Sequence, residues 1–164
     1  EVGQEYLQNL LNTDKKLDTY DSGRIYYYLG DYQKAYLALE EAKGKGGVDS
    51  YLYLGKAYAA TGVYNYASSV YSNYLSKQGP DAEIYNQLGL CEMAKKDYQK
   101  ALEAFQAGKQ IEGNSLMQTL SFNEIVAYEY LQDYQKAAVL LKAYLQNYPD
   151  DQTAIREQQF LSTR

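Results

Sequence analysis

Asp97-Tyr98-Gln99-Lys100-Ala101 decides how the chain is read, because the same five residues stand at Asp31 to Ala35 and again at Asp133 to Ala137. A degenerate copy, Val63-Tyr64-Asn65-Tyr66-Ala67, lies between the first and second of these. Their tyrosines, Tyr32, Tyr64, Tyr98 and Tyr134, follow one another at 32, 34 and 36 residues. A period of this size marks stacked repeats, each a single supersecondary unit. Four residues after each closing alanine comes a large apolar residue: Leu39, Tyr71, Phe105 and Leu141. Upstream, Leu54-Gly55 and Leu88-Gly89 occupy matching places, preceded at the same distance by Tyr51 and Tyr85. Tyr26, Tyr58 and Tyr128 form another matching set; Pro149 ends the last unit, and Pro80 sits one place off its match.

The physics of one unit follows from these positions. Tyr51, Leu54, Gly55 and Tyr58 fall at i, i+3, i+4 and i+7, one face of a first helix. Gly55 lacks a side chain, so a neighbouring helix backbone is expected to come close there. Gly30 and Gly62 suit the positive-φ stop of a first helix. Asp31, Asp97 and Asp133 then stand where a second helix needs its N-cap. The tyrosine after each cap is expected to fold back on the first helix. The small Ala35, Ala67, Ala101 and Ala137 let the two helices approach. One such hairpin cannot bury its apolar face alone, whereas stacked neighbours can. The chain is therefore expected to be all-α, a solenoid of about four helical hairpins over 16–47, 48–81, 82–113 and 116–150, in one domain. A leading helix is expected at 2–12, with apolar Tyr6, Leu7, Leu10 and Leu11. A capping helix is expected at about 151–162, with Ile155, Phe160 and Leu161. The first unit carries Ser22-Gly23 at the Leu-Gly step. The fourth carries Glu124-Ile125, which predicts looser or shifted packing. Lys43 to Gly47 and Glu112 to Ser115 are the inter-repeat loops.

Composition excludes several function classes. The 164 residues carry a formal net charge of −5, with three arginines, of which Arg24 alone lies inside the repeats. A nucleic-acid binder needs a basic face, so nucleic acid is not an expected partner. No apolar run approaches the roughly 18 residues that span a bilayer, so no membrane insertion of this segment is expected. Histidine is absent and Cys91 is the single cysteine. That removes Ser-His-Asp and Cys-His nucleophilic systems, an internal disulfide and His- or Cys-built zinc sites. No catalytic residue, metal site or cofactor is expected, and the chain reads as a non-enzyme. The acidic pairs Glu40-Glu41 and Asp150-Asp151 read as solvated charge. Lys43-Gly44-Lys45-Gly46-Gly47 lacks the preceding strand and the Gly-Lys-Ser/Thr ending of a phosphate loop. Cys91 reads as a small core residue. Tyrosine, at 21 copies against three phenylalanines and no tryptophan, carries the aromatic load. The first residue is Glu1 rather than Met. With the tyrosine- and asparagine-rich style, this leads to an expectation of a bacterial source and an exported or lipid-anchored envelope protein; the compartment itself stays open.

The spaced pattern of aromatic, Leu-Gly, Tyr, Gly-x-Tyr-x-x-Ala, aromatic and terminal Pro resembles the tetratricopeptide repeat family, over roughly residues 16 to 149. The resemblance implies that first helices line a concave groove and that the groove binds a peptide or partner protein. By position, the groove would take Tyr20, Asp21, Arg24, Tyr27 and Tyr28 from the first unit, and Leu52, Tyr53, Lys56 and Ala59 from the second. It would take Glu83, Asn86, Gln87, Leu90 and Met93 from the third, and Thr119, Phe122, Asn123, Val126 and Tyr130 from the fourth. Tyrosines offer contact area at low entropic cost. Asn and Gln amides can pair with an extended backbone. Arg24 and Lys56, equivalent by position, could hold a carboxylate, Arg24 in bidentate fashion. The structural alternative is that Tyr27, Leu52 and their neighbours simply pack between repeats. Some members of the family hold a chaperone's acidic C-terminus with a clamp of Lys, Asn and Arg. The corresponding residues here are Tyr20, Arg24, Tyr53, Glu83 and Gln87, none of which matches, so no such binding is expected. The alternative function is a self-associating scaffold or homo-oligomer, in which Tyr66, Tyr71, Tyr74, Tyr144 and Tyr148 present a convex face. The chain could also be the non-catalytic part of a larger or surface-attached protein.

Overall fold

In a computed structural model, which describes residues 2–13, 16–42 and 44–164, the described residues form ten α-helices and no strand. They fall into two compact units, Glu1–Gly79 and Pro80–Arg164. Unit 1 holds α1 (Val2–Thr13), α2 (Thr19–Tyr28), α3 (Tyr32–Glu41), α4 (Val48–Ala60) and α5 (Tyr64–Gln78). Unit 2 holds α6 (Ala82–Ala94), α7 (Tyr98–Lys109), α8 (Met117–Tyr130), α9 (Tyr134–Asn147) and α10 (Gln152–Leu161). Within each unit every helix packs on the next. Lys43, which opens the glycine-rich joint, lies outside the described residues.

All four hairpin turns share one construction. The N–H of Asp31, Val63, Asp97 or Asp133 donates to the carbonyl of Tyr26, Tyr58, Glu92 or Tyr128, five residues back. The residue before it has a positive φ: +79° at Gly30 and +77° at Gly62, but also +64° at Lys96 and +62° at Gln132. This left-handed stop satisfies the outgoing carbonyls of the first helix. Glycine announces it in two turns; in the other two the hydrogen-bonded turn outweighs the side chain's cost. The caps also repeat. Asp31, Asp97 and Asp133 accept from the backbone N–H of Lys34, Lys100 and Lys136. The Lys34 and Lys100 ammonium groups lie 2.7 and 2.8 Å from the same carboxylates.

Val63 takes the same backbone, φ −89° and ψ 58° against −84° and 69° at Asp31, yet makes no side-chain cap. It is 36% exposed, so replacing it empties no core. Val63→Asp is therefore expected to stabilise the protein by about 1 kcal/mol, seen as a rise of about 2–4 °C in Tm. An unchanged Tm would mean that this turn does not need the cap.

The two helices of a hairpin lock through a hole and a plug, and here the sequence expectation needs correction. The space left by Gly55 is filled by a side chain, not by backbone. A Cβ at Gly55 would lie 2.2 Å from the Tyr71 ring, and one at Gly89 would lie 2.3 Å from the Phe105 ring. Both rings are fully buried. Gly23 faces Leu39 in the same way, at 2.5 Å. The fourth hairpin exchanges the parts: Ile125 supplies bulk and Leu141 withdraws it, and both are 1% exposed. Both side chains stay buried, although α8 and α9 meet less extensively than the helix pairs of the other three hairpins. At the ends, α1 buries no residue and leaves Val2 and Tyr6 exposed. α10 buries Ala154 and Leu161 against Ile125, Leu141 and Tyr144. Phe160, expected to cap, stays exposed because it falls on the other face of α10.

Candidate functional site on the first-helix faces

In unit 1, α2 and α4 bring the expected residues together. Tyr20, Tyr27 and Tyr53 lean on the buried cluster of Ala35, Leu39, Leu54, Ala57 and Val70. Tyr27 meets Tyr28, Tyr32 and Tyr53 edge-on at 5.4 to 5.7 Å between ring centres. The Tyr28 and Tyr53 hydroxyls share a hydrogen bond of 2.5 Å. Arg24 completes the cluster. Its guanidinium lies 5.4 Å from the Tyr20 ring centre and 5.5 Å from that of Tyr53, and 3.6 Å from the Asp21 carboxylate. A hydrogen bond to Tyr53 holds the guanidinium charged even more firmly than usual. Burial raises the Tyr20 phenol, partly offset by the Arg24 charge. The Arg24 Nε is buried with no hydrogen-bond partner, while the side chain as a whole is 41% exposed. Chemically this is a cation held against two rings and partly exposed to solvent. Lys56 sits half-buried on α4.

In unit 2 the amides are spent differently. Asn86 is 5% exposed, and its carbonyl oxygen accepts from the Asn123 amide at 2.8 Å, tying α6 to α8. Gln87 donates to Glu83 at 2.9 Å along α6. Leu90 is 42% exposed. Phe122 turns toward α9, 5.7 Å from the Tyr144 ring centre. Sequence spacing does not separate a residue that faces ligand from one that faces the next first helix, since both lie on the same side of the helix.

Several polar groups stand elsewhere than the sequence predicts. Glu40 is not simply solvated: it accepts the Tyr58 hydroxyl at 3.0 Å. Burial and this bond push the phenol up to about 12. Asp151 caps α10 and takes the Tyr144 hydroxyl at 2.5 Å. Of the tyrosines expected on a convex face, Tyr71 and Tyr144 are buried, whereas Tyr66 is 62% exposed. The buried carboxylates of Glu92 and Glu124 had no sequence signal; each is met by a lysine, Lys95 and Lys109. Cys91 is 4% exposed, and burial pushes its thiol up to about 11, which leaves it unreactive.

Glu129 on α8 stands apart. Burial, followed by the charge and hydrogen bond of Glu157 on α10, pushes it up to about 7. The folded value lies above the unfolded value of about 4.3. Its contribution is therefore complete below about pH 4 and lost as pH rises through 7. Stability is expected to fall by about 1 kcal/mol between pH 5 and 8, after allowing for partial exposure to solvent. Glu129→Gln should remove this fall. Urea midpoints at the two pH values measure it, and an equal fall in the variant would assign the effect elsewhere.

A family profile described as tetratricopeptide repeat matches residues 82–115, and a second profile so described matches 122–151. No curated protein matches by sequence. Among solved structures, a crystal structure of MamA superposes with a TM-score of 0.75 at 21% identity, covering 87% of this chain and 78% of that one. The protein YrrB, described as a TPR protein with an unusual peptide-binding site, gives 0.73 at 20% identity, covering 95% and 81%. The second TPR domain of human RPAP3, solved with the HSP70 peptide SGPTIEEVD, gives 0.59 at 15% identity, covering 67% and 90%. The repeated turns, the caps, the plugged glycines and these matches agree: this all-α chain has the fold of a tetratricopeptide solenoid, and its residues 82–115 and 122–151 match that family's profiles.

Proposed function

We propose that the chain is a non-catalytic protein-interaction module that binds an extended peptide on its first-helix faces. In unit 1 the Arg24–tyrosine cluster receives a carboxylate of that peptide. The observation that carries this reading is the Arg24 guanidinium, held within 5.5 Å of the Tyr20 and Tyr53 ring centres, with a buried, unpaired Nε and a side chain 41% exposed. A guanidinium already held by ring contacts loses little freedom on pairing with a carboxylate. The similarity to repeat proteins whose descriptions include a bound peptide or a peptide-binding site supports the same reading. The acidic tail SGPTIEEVD is not an expected ligand, because Glu83 would repel it.

The test is a peptide library selected on the protein, followed by titration of the best binder. Arg24→Ala and Tyr53→Ala are each expected to weaken it about tenfold, or 1.4 kcal/mol. Replacing the ligand's carboxylate by an amide should do the same. Unchanged affinity in both variants would remove the site from this face.

A further inference from the structure

α8, α9 and α10 border an open pocket of about 480 Å³ in unit 2. Its walls are aromatic: Tyr130 at the end of α8, Tyr134 at the start of α9 and Phe160 on α10. Its charged groups are two carboxylates, Glu129 and Glu157. Glu129 Oε1 is buried and has no hydrogen-bond partner. The chain itself shows what such walls accept. The Arg164 guanidinium lies 4.5 Å from the Phe160 ring centre and 5.8 Å from that of Tyr134.

We propose that this pocket seats an arginine side chain of a partner peptide, its guanidinium meeting Glu129 and Glu157 and its stem lying on Tyr130, Tyr134 and Phe160. The inference rests on the peptide-binding reading and names the ligand chemistry for unit 2. Three observations combine to carry it. Two carboxylates share one site with no lysine among its lining residues. One carboxylate oxygen, Glu129 Oε1, is withdrawn from water with no partner beyond the facing Glu157 carboxyl. The walls are ring faces, which attract a cation through their quadrupoles, a guanidinium above all because it can stack and bond at once. A divalent metal does not fit. Even a four-coordinate site takes at least three protein ligands, and no group of three acidic, Cys or His ligands exists among the described residues. The groups facing the pair are Tyr130 from α8, Tyr134 from α9, Phe160 from α10 and Arg164 beyond it. Burial and Glu157 raise Glu129 to about 7, so near neutrality the pair still holds a proton. A bound guanidinium displaces that proton, and its affinity therefore rises with pH.

The probe is acetyl-Gly-Arg-Gly-amide, with acetyl-Gly-citrulline-Gly-amide as its uncharged twin. Both are titrated by NMR into the whole chain at pH 6 and 8. The titrations are repeated in Arg164→Ala, where the chain's own guanidinium cannot mask the seat. The arginine peptide is expected to shift the signals of Glu129, Tyr130, Tyr134 and Glu157, and to bind several-fold tighter at pH 8. The citrulline peptide should leave these signals in place. Glu129→Gln with Glu157→Gln, which keeps size and fold, should weaken the arginine peptide about tenfold. Equal shifts from both peptides, no shift at millimolar peptide in either background, or an unchanged affinity in the double variant would overturn the proposal. If that happens while Arg24→Ala still weakens the unit 1 ligand, this pocket is discarded and the peptide-binding reading stands. If the Arg24 and Tyr53 variants fail as well, the reading itself falls.

Discussion

Gly89→Ile is expected to destabilise unit 2 by about 3 kcal/mol, at the upper end of overpacking costs, and Phe105→Leu should restore most of that loss. The Phe105 ring is fully buried and sits where the new side chain must begin, 2.3 Å from an added Cβ. A rigid ring pinned on all sides cannot step aside as a flexible chain end would. Phe105→Leu alone leaves a cavity over Gly89 and is expected to cost about 1–3 kcal/mol. The fourth hairpin already contains the combined answer. Ile125 and Leu141 stand at the positions of Gly89 and Phe105, and both are almost fully buried. The double variant therefore reproduces a pairing this chain uses, and the coupling between the two changes should reach about 2 kcal/mol. Hydrogen exchange of the α6 and α7 amides is the suitable measurement, because repeats can open locally. Additive costs in the double variant would show that the α6–α7 crossing is set by other contacts.

The same pair shows what could be read in advance. The tyrosine period, the three Asp caps and the closing alanines repeat in phase, so they locate the hairpins without any structure. That legibility comes from local chemistry, since a cap or a turn involves residues three to five apart. The identity of the group filling the space over Gly55 was not legible. It depends on how two helices cross, and Tyr71 could have pointed outward with its hydroxyl in water. Lys96 and Gln132 carried no glycine to mark their positive φ, yet the backbone bond to Glu92 or Tyr128 imposes the same turn. The first-helix faces were legible by position, whereas their division into ligand-facing and packing residues was not. Asn86 and Asn123 illustrate this: both were assigned to one surface, and they meet each other across α6 and α8. Arg24 was singled out by charge alone. The rings of Tyr20 and Tyr53, with the Asp21 carboxylate, explain why it is held still.

Lys109→Met is expected to cost about 3 kcal/mol, although it touches no ligand residue and adds no bulk. Its ammonium meets Glu124 at 2.5 Å, and the Glu124 side chain is 7% exposed. The other carboxylate oxygen accepts from Gln106 at 2.9 Å. Removing the lysine leaves a buried carboxylate with one neutral donor, and an uncompensated buried charge is the costly half of a broken pair. The reverse change behaves differently. Glu124 occupies the place held by Leu54 in the second repeat and Leu88 in the third. Glu124→Leu frees Lys109, whose side chain is already 25% exposed and can turn to water. Gln106 keeps the Tyr128 hydroxyl as an acceptor at 3.4 Å. The cost of Glu124→Leu should therefore stay below about 1 kcal/mol, and Lys109→Met in that background should be close to neutral or stabilising. Urea denaturation of the four proteins closes the cycle. If Lys109→Met costs the same in the Glu124→Leu background as in the parent chain, the pair contributes nothing specific and the lysine acts through its hydrocarbon stem. If the cost vanishes in that background, the charge pair is a replaceable answer to one acidic residue at a leucine site, which explains how the fourth hairpin keeps a buried core while departing from the repeat pattern.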